Sequence, residues 1–538
     1  MATDLKIDSK DQDGDRVSIA QCSLTKDNID DAILRANGHK SELKRQFNWL
    51  SALGLGFSIT NSWAGYLSCF GQNLIYGGPL SCLIGLVIAF IVQFTVTLGL
   101  SEIASAFPST GGQYHFCYIL SPPKTKRFAA YVIGWMSTLA WWIVTCSGIS
   151  LAAATLGGLV NFFHPEFVAS SWQIYLFYVA TSIVTIIPVF ISSKRLAWTV
   201  QTALFLSVLG VTLFLFIPLG LHKHVNDGSY LVKPGLGNSG WNTGTAFVLG
   251  ISNSLYAFGG TDGAIHISEE MSQPGRRVPQ VIIMTMVIGL ITALPLFIAL
   301  MYFMTDLDAV RDSALPSMEL VYQATGNRNV TVFLISLLLI VFVLSLPSQW
   351  VTSGRIAWAL ARDNGTPFSH YFSKVDERLV FPVRTTIAAF IFVLLYGLLY
   401  LASTTAFNSI VTSAVLFLNI TYAVPQGILL FQGRNKSLPP RYLNLGIVGY
   451  ICNTFSILWI AVLGVLISMP PELPVYTATM NYTSVILVGL FTVILIAWYF
   501  DGRHNFEGPQ IDWDLLKEAN IQVLQAAHPM HLGHKINV

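Results

Sequence analysis

The feature that most constrains this chain is the recurrence of apolar stretches about 20 residues long, the length at which a helix crosses roughly 30 Å of hydrocarbon while satisfying its own backbone hydrogen bonds. Such stretches fall near residues 47–70, 79–103, 129–157, 172–191, 197–220 and 244–267, then 279–304, 330–354, 383–403, 407–431, 445–468 and 483–500. Apolar residues make up 53% of the 538 and charged residues only 11%, more hydrophobic surface than a soluble core of this length absorbs. The excess must face the lipid bilayer, which excludes a soluble enzyme. A net charge of +2 argues against a nucleic-acid partner or a strongly acidic ligand.

Charge placement tests the span count. With both termini cytoplasmic, the inner loops hold Lys124, Lys126, Arg127, Lys194, Arg195, Arg276, Arg277, Arg355, Arg362, Lys374, Arg378, Arg384, Arg434, Lys436 and Arg441. The outer loops hold only Lys223, Lys233, Arg311 and Arg328, a ratio of fifteen to four. One miscounted span would invert every later loop, so the positive-inside bias predicts an all-α integral membrane protein of twelve transmembrane helices. Residues 1–46 are polar, with Asp4, Asp8, Asp11, Asp13 and Asp15 among basic residues. They read as a cytoplasmic tail that begins disordered and carries no secretory signal, with a helical pattern plausible from Asp27 to Arg45. Residues 501–538 form the other tail. Cys69, Cys82, Cys117, Cys146 and Cys452 lie in or beside apolar segments and Cys22 in the tail, which reads as small apolar packing rather than a disulfide framework. Asn329 and Asn481 head glycosylation sequons in predicted outer loops, whereas Asn364 and Asn435 fall in inner ones.

Two spans are interrupted. Gly54 to Gly65 in the first and Tyr256 to Gly263 in the sixth mix glycine with small polar residues. They occupy matching places in two halves, 47–220 and 244–431, the pattern expected of inverted five-helix repeats whose unwound backbones line a binding cavity. Close helix packing through small residues is the alternative.

At these residues the chain resembles the amino acid-polyamine-organocation transporter superfamily, in its amino acid/choline branch known mainly from fungi. The likeness is carried by Gly77-Gly78-Pro79 and by the run Ser101-Glu102 to Gly111-Gly112-Gln-Tyr114. It continues in Ser268-Glu269-Glu270-Met-Ser-Gln-Pro274 to Pro279 and in Arg355 to Arg362-Asp363-Asn-Gly-Thr-Pro367. The resemblance implies a LeuT-type 5+5 inverted repeat with two peripheral helices, over residues 445–500. It further implies a secondary transporter on the plasma membrane that moves a small amine or amino acid, such as choline, GABA or a polyamine, with a proton as coupling ion. Some members of the superfamily carry a lysine in the fifth span; Ala197 to Gly220 has none, which leaves the coupling ion open.

Substrate-binding candidates are Thr60, Asn61, Ser62 and Trp63 at the first break and Tyr256, Phe258, Gly259 and Gly260 at the second. Aromatic faces suit ammonium groups, and Trp141 and Trp142 are further candidates for a cage. Asp262 is the ionisable residue deepest in any span. An acid there costs about 2.5 to 3.5 kcal/mol, which points to proton coupling or amine recognition; an acid satisfied by neighbouring hydroxyls or an arginine is the alternative. Glu102, Glu269, Arg276, Arg355 and Arg362, with Glu270, Arg277 and Asp363, are expected at the cytoplasmic ends of spans, as a gate or as interfacial anchors. His266 and Glu269 share one helical face, but without further ligands a packed histidine is favoured over a metal, and His222 and His224 read as solvated. No cofactor is expected. An exporter of a nitrogen-containing secondary metabolite and a non-transporting solute sensor remain alternatives, although both tails are short for signalling.

Overall fold

The computed structural model describes residues 26–38, 42–402, 404–476 and 480–527. The aspartates at the start of the chain, Cys22 and the last eleven residues lie outside the described residues. Regular structure among those described is helical throughout. Ten helical stretches are long and apolar enough to cross a membrane, and the protein is a multi-pass membrane protein. The longest of the ten runs over 58 residues from Trp49 to Ala106 and covers the first two predicted spans.

Helix α1, Trp49–Thr60, starts at Asn48, whose side chain accepts from the Ser51 amide at 2.9 Å. It ends at Asn61, which adopts the left-handed conformation with φ 32°. Helix α2, Ser62–Ala106, is bent rather than interrupted by a loop. Gly77 and Gly78 leave helical geometry, with Gly78 at φ 67°, immediately before Pro79. The boundary expected between the first two spans is therefore a kink, because proline is tolerated at the first turn of the helical segment that follows.

The remaining long helices are α3, Lys126–Phe163; α4, Ser171–Ile191; α5, Leu196–Leu221; α6, Thr243–Ser254; α7, Pro274–Phe303; and α8, Arg328–Arg362. They are followed by α9, Val383–Gly397; α10, Thr404–Gln432; α11, Ile447–Ser468; and α12, Thr483–Ala497. Both α6 and α7 pack along α2, α8 along α3, α1 against α5, and α10 against α3 and α11. Outward-facing Ile187, Phe205, Phe216, Ile291, Phe333, Leu458 and Val465 form the apolar jacket that composition demanded.

Two features bear on the predicted spans. The helical part of the sixth predicted span stops at Ser254, and the chain continues through the single 3-10 turn Leu255–Phe258. Gly259 is then extended, Gly260 is left-handed at φ 71°, and a 3-10 segment runs from Thr261 to Glu270. Second, Arg355 and Arg362, counted with the inner-loop charges and expected at a cytoplasmic span end, lie on α8, and Arg355 is fully buried. A guanidinium enters the bundle there because a carboxylate meets it, as described below.

Candidate functional site

The two interruptions face one buried cavity. Its walls are Ser58 to Asn61 of the first break, Tyr256, Gly259 and Gly260 of the second, and residues of α3, α8 and α10. Its water-accessible volume is about 60 Å3, room for a few waters and too little for a bulky solute without rearrangement. The Thr60 hydroxyl and the Gln349 carbonyl oxygen at its wall are buried with no hydrogen-bond partner among the described residues. Buried polar atoms of native proteins are nearly always paired, so these two are offered to something that enters.

Asn61 is held from both sides. Its side-chain nitrogen donates to Ser345 Oγ of α8 at 3.2 Å, and its oxygen accepts from Ser207 Oγ of α5 at 2.8 Å. Ser207 in turn accepts from the Trp63 indole at 2.9 Å. Opposite, the Tyr256 hydroxyl is hydrogen-bonded to Ser147 of α3. Thr60, Asn61, Tyr256, Gly259 and Gly260 thus line the cavity, whereas Ser62, Trp63 and Phe258 stand behind it. Trp63 packs against Phe214 at 5.2 Å between ring centroids. Phe258 meets Phe90 edge-on at 5.6 Å, and Ser62 faces Gly289 of α7.

Sequence reasoning missed Ser147 and Gly148 on α3, Ser345 and Gln349 on α8, and Val415 and Leu418 on α10. Gln349, an amide within the buried stretch of an apolar helix, was the legible signal among them. Gly148 makes room for it, since a Cβ there would collide with the Gln349 side chain.

Asp262 does not reach the cavity wall. Its Oδ2 accepts from Gln113 at 2.6 Å and Trp141 at 3.1 Å and lies 3.2 Å from His266 Nε2, and its Oδ1 accepts from Tyr422 at 2.5 Å. One carboxylate thereby joins the segment after the second break to α3, α10 and the short helix Gln113–Leu120. The Trp142 indole turns away and donates to the Ser353 carbonyl at 3.3 Å.

The charged candidates form buried pairs. Arg355 clasps Glu270 through two nitrogens, one of them at 2.8 Å, and Glu270 also accepts from Gln46 at 2.8 Å. Arg362 grips Glu269 with two hydrogen bonds of 2.9 Å. Glu102 receives Arg434 and Arg441, each at 2.5 Å. Arg276 instead lies over the Tyr442 ring at 5.2 Å. Asp363 binds His115 at 2.7 Å and Tyr114 at 3.0 Å. Pairing of this kind offsets the large cost of taking charges out of water. No group of three or more metal-ligating side chains occurs among the described residues.

Of the two sequons, Asn329 is exposed on the first turn of α8, whereas the Asn481 amide donates to the Ile467 and Met469 carbonyls at 2.6 and 2.9 Å.

The family profile described as amino acid permease matches residues 47–491. A choline transporter of Saccharomyces cerevisiae is 32% identical over 86% of this chain and 83% of its own length. A GABA-specific permease of the same yeast is 28% identical over 89% and 86% of the two chains. A swainsonine transporter of Arthroderma benhamiae is 26% identical over 87% and 93%. Matched by the profile over residues 47–491, the chain belongs to the amino acid permease family and is a membrane transporter, not an enzyme.

Proposed function

We propose that this protein carries a small amine or amino acid, of the choline, GABA or polyamine kind, across the plasma membrane by proton-coupled alternating access. The observation that carries the reading is the convergence of both helix breaks on one cavity with unpaired polar atoms in its wall. The carbonyl end of α1 offers partial negative charge to an ammonium group, and the amide end of α2 offers partial positive charge to a carboxylate. The likeness to choline and GABA carriers supports a nitrogenous solute.

On this reading the chain has twelve spans in a LeuT-type arrangement. Residues 47–220 and 244–431 are its repeats, 445–500 its peripheral pair, and both tails are cytoplasmic. The bent α2 supplies part of the first span and all of the second, and the broken segment Thr243–Glu270 supplies the sixth. The Arg355–Glu270, Arg362–Glu269 and Glu102–Arg434 pairs close the cytoplasmic side, and Asp262 couples the proton. Ser62, Trp63 and Phe258 back the binding residues and come into reach as the cavity opens. Asn329 is the sequon placed for glycosylation.

The test is uptake by the purified protein in proteoliposomes, with labelled choline, GABA, basic amino acids and polyamines, with and without an inward proton gradient. Gradient-dependent accumulation of one of them is expected. Saturable binding without accumulation would replace transport with sensing. The likeness to a swainsonine transporter supports a second reading, movement of a nitrogen-containing secondary metabolite, and an outward flux of such a compound would favour it.

A further inference from the structure

We infer that Asp262 and His266 hold one shared proton between them, fixed in place by the backbone carbonyl of Thr110, and that its loss unlocks the segment after the second helix break. The inference rests on the proton-coupled reading above for its role in transport, but the proton itself follows from local chemistry. The imidazole of His266 is fully buried between two oxygens. Its Nδ1 lies 2.9 Å from the Thr110 carbonyl and its Nε2 lies 3.2 Å from Asp262 Oδ2. A carbonyl only accepts, so Nδ1 carries a hydrogen. A neutral ring then presents the Nε2 lone pair to the carboxyl group. If Asp262 were ionised, two electron-rich atoms would face each other in a fully buried site.

The contact is attractive only when one more proton lies between Nε2 and Oδ2, as imidazolium with carboxylate or as imidazole with carboxylic acid. The other partners of Asp262 do not replace it. The Trp141 indole only donates, Gln113 presents its nitrogen, and Tyr422 occupies Oδ1. Gly112 makes the arrangement possible. It sits at φ 58°, and a Cβ there would come within 3.0 Å of the His266 ring.

Most of the other titratable or charged groups on the neighbouring elements are themselves engaged, and Glu102 of α2 is held by Arg434 and Arg441. Glu269 and Glu270 of the same segment pair with Arg362 and Arg355 of α8. His115 and Tyr114 of the short helix bind Asp363. Arg276, at the start of α7, lies over Tyr442, and Arg277 follows it there; α1 and the part of α3 that reaches Asp262 bring no charge. Release of the proton to water on the gate side leaves a carboxylate and a neutral imidazole 3.2 Å apart. Their repulsion loosens the bonds that tie this segment to α3, α10 and the Gln113–Leu120 helix.

The test uses the full chain, purified and labelled with 15N-histidine, with the His266 resonances assigned by their absence in H266Q. Nδ1 is expected to stay protonated from pH 5.5 to 8, and a titration step at Nε2 is expected to change or vanish in D262N. An Nδ1 without a proton, or a His266 titration identical in D262N, overturns the shared proton. In proteoliposomes, H266Q is expected to lose at least tenfold more of gradient-driven choline or GABA accumulation than of counterflow; equal losses overturn the coupling role. If the wild type accumulates neither probe under a gradient, the proton-coupled reading fails while the nitrogen spectra still judge the pair.

Discussion

The two helix breaks reach one cavity by opposite means. The first spans a single non-glycine residue, Asn61, whose side chain is tied to α5 and α8 at 2.8 and 3.2 Å. The second is longer and glycine-based; Tyr256 ties it to Ser147 of α3, and its ionisable anchorage comes after the break, at Asp262 and His266. A break clamped by neutral hydrogen bonds keeps its shape in any protonation state. A break anchored by a carboxyl group and an imidazole does not. On the proposed mechanism the first break positions and the second switches.

The sharpest way to break this contrast is Asp262→Asn. It removes the ionisable anchor at nearly constant volume, and coupled uptake is expected to fall on the order of 100-fold, as when a proton-transfer group is removed. Full accumulation by this variant at the normal pH optimum would end the switching role. Arg355→Ala comes next. It strands Glu270 inside the bundle, and breaking a buried pair this way costs about 3 to 5 kcal/mol, visible as a lowered midpoint in thermal unfolding of the solubilised protein. A midpoint unchanged from wild type would show that Glu270 is not held as an unscreened charge.

Gly260→Ala tests the backbone of the second break directly. At φ 71° a Cβ would stand 2.9 Å from Ile59 Cγ2 and 3.4 Å from Trp141, linking the two breaks sterically. The left-handed conformation alone costs about 1 to 2 kcal/mol, so uptake is expected to drop roughly tenfold. The smallest effect separates backbone from side chain at the first break. Asn61→Gly keeps the left-handed turn and loses the amide, about 0.5 to 1.5 kcal/mol for each neutral hydrogen bond, while Asn61→Ala loses both. Uptake and thermal stability are expected to rank wild type above Asn61→Gly above Asn61→Ala. Indistinguishable variants would mean that the clamp on Asn61 is not what holds the break.

Much of the fold is written in local pattern. Apolar length marked the long helices, whereas Gly-Gly-Pro at 77–79, where a boundary between two spans is expected, forms a bend within α2, because proline ends one helical segment and begins another. The two breaks were visible as glycine and small polar residues amid apolar ones. That their unwound backbones line a cavity was read there too; which side chains of α3, α8 and α10 wall it was not. Ser147 and Ser345 resemble any small polar residue of a packed membrane helix, and only their neighbours across the bundle give them a part. Trp63 and Phe258 carried the right chemistry for an ammonium cage, yet both are spent on packing behind the cavity in this conformation.

By itself, then, the sequence determined that the chain must live in lipid, where its long apolar helices run, where two helical stretches break, and that Asp262 is an acid placed at high cost. These follow from hydrophobic length and backbone permissiveness, which act within a few residues. Only the tertiary structure decided which partners each charge finds, Arg355 with Glu270, Arg362 with Glu269, and His266 with Asp262 and the Thr110 carbonyl. Pairing depends on distance and direction in a low-dielectric interior, and Arg355 and Glu270 meet across 85 residues of sequence.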